Sequence, residues 1–207
     1  RDFKSFTEPV LIFHSDELDR LNRRQRIRAV VEDPAYLSPP IVDDGDYMGE
    51  IYQMAVMPYE GLAIGLPVLF NPAGAIPPPH MNHTGINQTE LAVSRDLLHW
   101  ERVADRAVFL GIEPWGGAFY ETAQILPCGQ PILRGDEIWI YYNAHRFRAH
   151  RELYPDIADR YFEDAGALSL ARLRRDGFVS LDAGPDEGCL VTPPFEPGGA
   201  LRVFVDE

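Results

Sequence analysis

Apolar and polar residues alternate over short runs along most of this chain, a two-residue period that predicts β-strands rather than helices. Glu50 to Val56 is one such run, Gly61 to Phe70 a second, Glu90 to Ser94 a third and His99 to Val103 a fourth. The series then restarts: Tyr120 to Leu126, Glu137 to Tyr142, Ala167 to Leu173 and Gly177 to Leu181. Each run is rich in β-branched or aromatic residues and bounded by Gly, Pro or Asp, as antiparallel strands are. Asn71 to Thr84, with four prolines, reads as a loop. Ser15 to Glu32 breaks the pattern; Ser15 resembles a helix cap and acids follow it, so one or two short inserted helices are expected. The charged and aromatic stretch His145 to Phe162 is expected to hold a short helix in a loop.

A short phrase punctuates the strands. Arg1-Asp2-Phe3-Lys4-Ser5-Phe6 reads like Arg95-Asp96-Leu97-Leu98-His99-Trp100, and Arg175 to Leu181 is a looser, longer copy. The phrase falls between the third and fourth run of each series, so a repeat architecture is implied. Four antiparallel strands per repeat is the pattern of β-propeller blades. The fold class read from the pattern is therefore all-β: part of a propeller, with short inserted helices. Residues 1–195 would hold about two full blades and the end of an earlier one; 196–207 would be a final strand, opening onto a following domain. Two blades fall short of the roughly four that closure needs, so further sequence upstream is expected. Asp2, Asp96 and Asp176 read as turn residues, each accepting bonds from backbone N–H groups two residues on.

Charge narrows the partners. There are 32 acidic against 19 basic residues, a net charge of −13. A polyanion would be repelled, so nucleic acid is not expected as a partner. No segment approaches the ~18 apolar residues of a membrane span, and no membrane partner is expected. Cys128 and Cys189 leave two readings open, a disulfide or two buried free thiols. Asn82-His83-Thr84 and Asn87-Gln88-Thr89 match the glycosylation acceptor pattern. No leader is visible; a secreted or periplasmic location is compatible with the sequence, and oligomeric state is not readable from it.

Candidate chemistry sits on the first run of each series, which in a propeller lines the channel. Glu50 opens Glu-Ile-Tyr-Gln-Met and Glu121 opens Glu-Thr-Ala-Gln-Ile. Two inward carboxylates are the raw material for glycoside hydrolysis, one to protonate the leaving oxygen and one as base or nucleophile. Trp115 precedes Gly116-Gly117 and could stack on a sugar ring or pack between blades. His145 and Arg146, after Tyr141-Tyr142-Asn143, could contact hydroxyls or a carboxylate. Asp46, with Asp43 and Asp44, could bind sugar hydroxyls or a cation, or form a solvated acidic loop. His80 and His83 lack a visible third partner as metal ligands. No cofactor is implied; calcium is conceivable at a channel acid, though no calcium-loop motif is present.

The phrases Ser94 to Arg102, Gly135 to Tyr142 and Asp176 to Gly184 together resemble the five-bladed propeller glycoside hydrolases of families 32 and 43, the invertase-like and arabinanase-like enzymes. The resemblance spans most of Glu50 to Phe195. It implies a glycosidase acting on an oligo- or polysaccharide, with Glu121, after the aromatic Tyr120, as general acid and Glu50 near the transition-state stabiliser. It also implies a third acid upstream of Arg1. Glu121 is not followed by Cys-Pro, and Glu50 is not an Asp set between Arg and Pro. A non-catalytic carbohydrate-binding or scaffold propeller is the alternative.

Overall fold

The computed structural model describes residues 4, 6–115, 122–156, 165–182, 184–185, 188–196 and 198–200. It divides into two units, 1–177 and 178–207. Among its described residues the first is mostly sheet with one α-helix, α1 (Glu17–Glu32). Its strands are β1 (Glu50–Tyr59), β2 (Leu62–Ile76), β3 (Asn82–Thr89), β4 (Ala92–Ser94), β5 (Glu101–Arg102), β6 (Gln124–Pro127), β7 (Ile132–Arg134), β8 (Glu137–His145) and β9 (Gly166–Arg174). The described residues of the second unit hold no regular element, so the strand expected at Gly177 to Leu181 is not formed there. Leu201 to Val205 lies outside the described residues.

The strands pair as two antiparallel meanders. In the first, β1 runs against β2, β2 against β3 and β4, and β4 against β5. In the second, β6 and β7 lie on one side of β8 and β9 on the other. A parallel pair, Asn87 with Gln124, joins β3 to β6. The sheet that results is open.

Asn71 to Thr84 is strand at both ends, not a loop. β2 continues to Ile76 and β3 begins at Asn82, leaving only Pro77 to Met81 as the turn. Prolines misled the pattern because Pro72 sits at a register shift between Pro72 and Gly74, where no ladder donor is required. Across that irregularity lies Gly85, with φ of +146°; a Cβ there would fall 2.1 Å from the Asn71 carbonyl oxygen. Gly85→Ala is expected to cost about 2–3 kcal/mol, read as a lower denaturant midpoint, because strain and backbone clash add.

The Arg-Asp turn behaves as its residues dictate. Asp96 Oδ1 accepts from the N–H groups of Leu98 and His99, both at 2.8 Å, and Leu97 takes a left-handed φ of +68°. Asp176 also has a positive φ and is bound by the Tyr59 hydroxyl. Asp2 lies outside the described residues. Asn87 is fully buried and so cannot serve as a glycosylation acceptor; Asn82 remains exposed. Cys128 and Cys189 are free thiols, and both are exposed rather than buried.

Helix α1 is capped by Asp16, not Ser15. Asp16 accepts from the N–H groups of Leu18 (3.0 Å) and Asp19 (3.3 Å), while the Asp19 carboxylate accepts from the Asp16 N–H (3.0 Å). This reciprocal pair satisfies donors that the first turn leaves open. The buried stripe of α1 is Asp19, Arg23, Ile27 and Val30. Its apolar half packs with Ala73, Ile86, Ile112, Ile125, Tyr142 and Ala144, a core reaching both meanders.

The other half is ionic. Glu90, with no exposed surface, binds Arg26 at 2.6 Å and also Arg102. Arg102 reaches Asp19 at 2.6 Å, and Arg106 reaches Asp16 at 2.6 Å and Asp19 at 3.2 Å. The Arg106 guanidinium holds the Asp16 carboxyl well below the usual carboxylate range. Ala104, Asp105 and Arg106 all take left-handed φ values, a costly run that the Arg106 ion pairs help to hold.

Candidate functional site

The end of β8 and the residues after it carry the chemistry. Backbone bonds fix this segment: Ala123 N–H donates to His145 O at 3.0 Å, and Arg146 N–H to Ala165 O at 3.0 Å. Side chains of β6 and the residue pair before it add two more. Thr122 Oγ1 donates to Arg146 O at 2.8 Å, and Gln124 Nε2 to Phe147 O at 3.1 Å. The strip His145-Arg146-Phe147-Arg148 is thereby held against the start of β6. Glu121 and Tyr120, which immediately precede Thr122, lie outside the described residues.

Arg148 is the centre of charge in this region. Its guanidinium lies 3.9 Å from the centroid of the Phe70 ring and 5.7 Å from that of Tyr52. Desolvation lowers its pKa, and the nearby Tyr52, Tyr154 and Glu50 act in the opposite direction. Its Nε is buried without a hydrogen-bond partner. Glu50 itself is exposed at the start of β1, paired in register with Phe70. Tyr52 falls at a register shift of β1 between Ile51 and Gln53, a local break in the strand's alternation, and both Glu50 and Tyr52 lie near enough to Arg148 to act on its charge.

Trp115 and Arg146 come together beside this cluster. The Arg146 guanidinium is 5.8 Å from the Trp115 ring centroid, and Phe147 packs on the same ring at 5.9 Å. Trp115 is anchored by its N–H to Ala35 O at 2.7 Å, and its side chain stays partly open. It walls a cleft of about 300 Å³ with Leu37, Pro40, Leu153, Tyr154 and Asp156. Tyr154 is held in place by its hydroxyl, which donates to Arg148 O at 2.7 Å.

His145 is half-buried, its ring against the backbone at Gly166. Burial pushes its pKa below 6.5. Below pH 6.5 the unfolded chain takes up a proton that the folded chain resists, so stability falls as pH falls through that range. The loss levels off once pH drops below the depressed folded value. Urea midpoints between about pH 8 and about pH 5 should show this decline, and His145→Gln should make it shallower.

Asp46 turns elsewhere. Its two oxygens accept from Arg20 and Arg24 of α1, each at 2.6 Å. Asp43 accepts from Gly45 N–H, Ala75 N–H and the Tyr47 hydroxyl, which hold it below its ordinary pKa. The acidic loop is therefore tied into ion pairs and turns. Of the residues expected from sequence, the structure sets Trp115 in the cleft wall, Arg146 beside the Trp115 ring and His145 one residue away. Glu50 lies at Arg148, and Asp46 is not brought to either.

Arg148, Tyr52, Phe70 and Tyr154 escaped sequence reading. Arg148 could have been suspected from Arg-Phe-Arg directly after a strand; the stacking of Phe70 beneath it could not. Asn87 was read only as a glycosylation acceptor. It has no exposed surface, and neither polar atom of its amide has a hydrogen-bond partner. Such a group costs about 1–3 kcal/mol and sits at the joint between β3 and β6.

By the described residues the chain is a mostly-β protein carrying an aromatic cleft beside an arginine–glutamate cluster. No family model matches it, and no curated protein matches it. Two solved structures are similar to it. One is a complex of BT0996 and RGII, 14% identical, covering 63% of this chain and 36% of that one, with a TM-score of 0.37. The other is a glycoside hydrolase, 13% identical, covering 74% of this chain and 40% of that one, with a TM-score of 0.41. The chain spans well under two thirds of either. Likenesses at these TM-scores carry no functional argument.

Proposed function

We propose that this chain is part of a carbohydrate-active β-propeller of the kind found in glycoside hydrolase families 32 and 43, and that it cleaves a glycosidic bond. The two antiparallel meanders would be neighbouring blades. Glu121 would be the general acid and Glu50 the stabilising or second carboxylate. The observation that carries the reading is the open Trp115 face in the wall of the cleft, next to a strip that bears Arg146 and Arg148. An indole face offers a sugar ring an apolar platform, and the guanidinium groups offer donors to hydroxyls or a carboxylate.

A general acid must remain protonated near neutral pH, which burial and neighbouring carboxylates can bring about. The separation of the two carboxyl groups would set the outcome: about 5–5.5 Å for retention, about 6.5–9.5 Å for inversion.

One feature favours binding without catalysis. Among the described residues Asp156 is the acid in the cleft wall, and Glu50 does not line that cleft. A single comparison separates the two readings. The chain is screened against a panel of oligosaccharides for both binding and release of reducing ends, alongside Glu121→Gln. Turnover by the parent chain that disappears in the variant, with binding retained, supports hydrolysis. Binding without any turnover leaves the non-catalytic reading, and unchanged turnover in Glu121→Gln removes that residue from the mechanism.

A further inference from the structure

His80 and His83 had no third ligand in sequence, but the fold supplies one for His80. His80 lies in the turn between β2 and β3; His150 and Glu152 lie in the loop between β8 and β9. The ring centroids of His80 and His150 are 3.7 Å apart, and His80 Nε2 is 4.0 Å from Glu152 Oε2. One ligand atom from each of the three residues falls within 4.8 Å of the other two. Two imidazoles and a carboxylate are the donor set of open tetrahedral zinc sites.

We propose that His80, His150 and Glu152 bind a divalent first-row transition metal, with zinc the best match. The proposal is independent of the glycosidase reading. Tetrahedral ligands at zinc–donor distances of about 2.0–2.2 Å stand roughly 3.3–3.5 Å apart. The donors therefore close by about 1 Å on binding. Both ends can move: the His80 and Glu152 side chains are 45% and 71% exposed. Three protein ligands leave the fourth position to water. Softer metals find no thiolate here, and calcium would want more oxygens.

Without a metal, the same atoms amount to a tilted histidine pair with the Glu152 carboxylate 4.0 Å from His80. With one, they would cross-link the β2–β3 turn to the β8–β9 loop. Glu152 directly precedes Leu153 and Tyr154, which wall the Trp115 cleft, so the metal would brace that wall.

The test is calorimetric titration of the tag-free, chelator-treated chain with zinc chloride, followed by thermal melts. One zinc per chain is expected, with the melting temperature rising by about 5 °C or more at zinc a hundredfold above Kd. His80→Ala, His150→Ala and Glu152→Ala should each weaken binding tenfold or more, while His83→Ala, in the neighbouring strand, should not. Cobalt(II) should give visible ligand-field bands that disappear in His150→Ala. Absence of saturable binding at one equivalent in the parent chain overturns the proposal, as does binding that survives both histidine substitutions. Because His80 and Glu152 are exposed and His150 is only partly buried, circular dichroism of the variants should match the parent, and the parent titration decides the matter by itself should one variant misfold.

Discussion

Glu90→Ala is expected to lower the unfolding free energy by about 3–5 kcal/mol and the melting temperature by roughly 10 °C or more. Glu90 has no exposed surface, and its carboxylate is shared between Arg26 and Arg102. The side chains of those arginines are 12% and 7% exposed. Deleting the acid would leave two desolvated cations facing each other across a small void. Asp19 would then compensate only Arg102 and Arg106. Removing one member of a buried ion network costs far more than the network contributes net, because the remaining desolvated charges are left undercompensated. Asp46→Ala is the internal control. Its ion pairs with Arg20 and Arg24 are on the surface, with the Asp46 side chain 56% exposed, so a change within about 1 kcal/mol is expected. Equal effects from the two substitutions, measured by urea unfolding at matched pH, would show that the α1–sheet joint does not depend on charge pairing.

Turnover should fall by about 10²–10⁴-fold in Glu121→Gln if that residue is the proton donor. The amide keeps the shape and hydrogen bonding of the side chain but has no proton to give, so sugar binding should persist. Glu50→Gln should act differently. Its charge is one of those that offset the burial of Arg148, so its loss should affect the arginine as well as the chemistry. If Glu50 is the second carboxylate, kcat should fall and the pH profile change shape, with the fold retained because Glu50 is exposed. A Glu50→Gln enzyme with parental kcat and only a raised KM would make Glu50 a binding residue. Leaving-group dependence sharpens the assignment: an activated aryl glycoside needs little protonation, so it should partly rescue Glu121→Gln and not Glu50→Gln.

Much of the secondary structure was legible because its cause is local. The strands β1, β8 and β9 fall where period-two patterning predicts them, and Asp96 caps its turn through N–H groups two and three residues away. Where cause was not local, reading failed. Pro72 looked like a loop residue because its tolerance depends on a register shift opposite β3. Gly177 to Leu181 read as a strand from composition, but strand formation needs a partner edge.

The candidate site divides along the same line. Sequence by itself determined which residues could do chemistry: the acids Glu50 and Glu121, the Trp115 indole, and His145 and Arg146 at the end of a strand. Tertiary structure alone decided which of them meet. Asp46 went to helix α1, where two arginines outcompete a role at the cleft, and the stripe of α1 that packs inward proved half charged. His80 acquired partners from a loop far along the chain. A side chain's functional groups are written in its identity, whereas its desolvation and its neighbours are set by long-range packing that no short window of the chain contains.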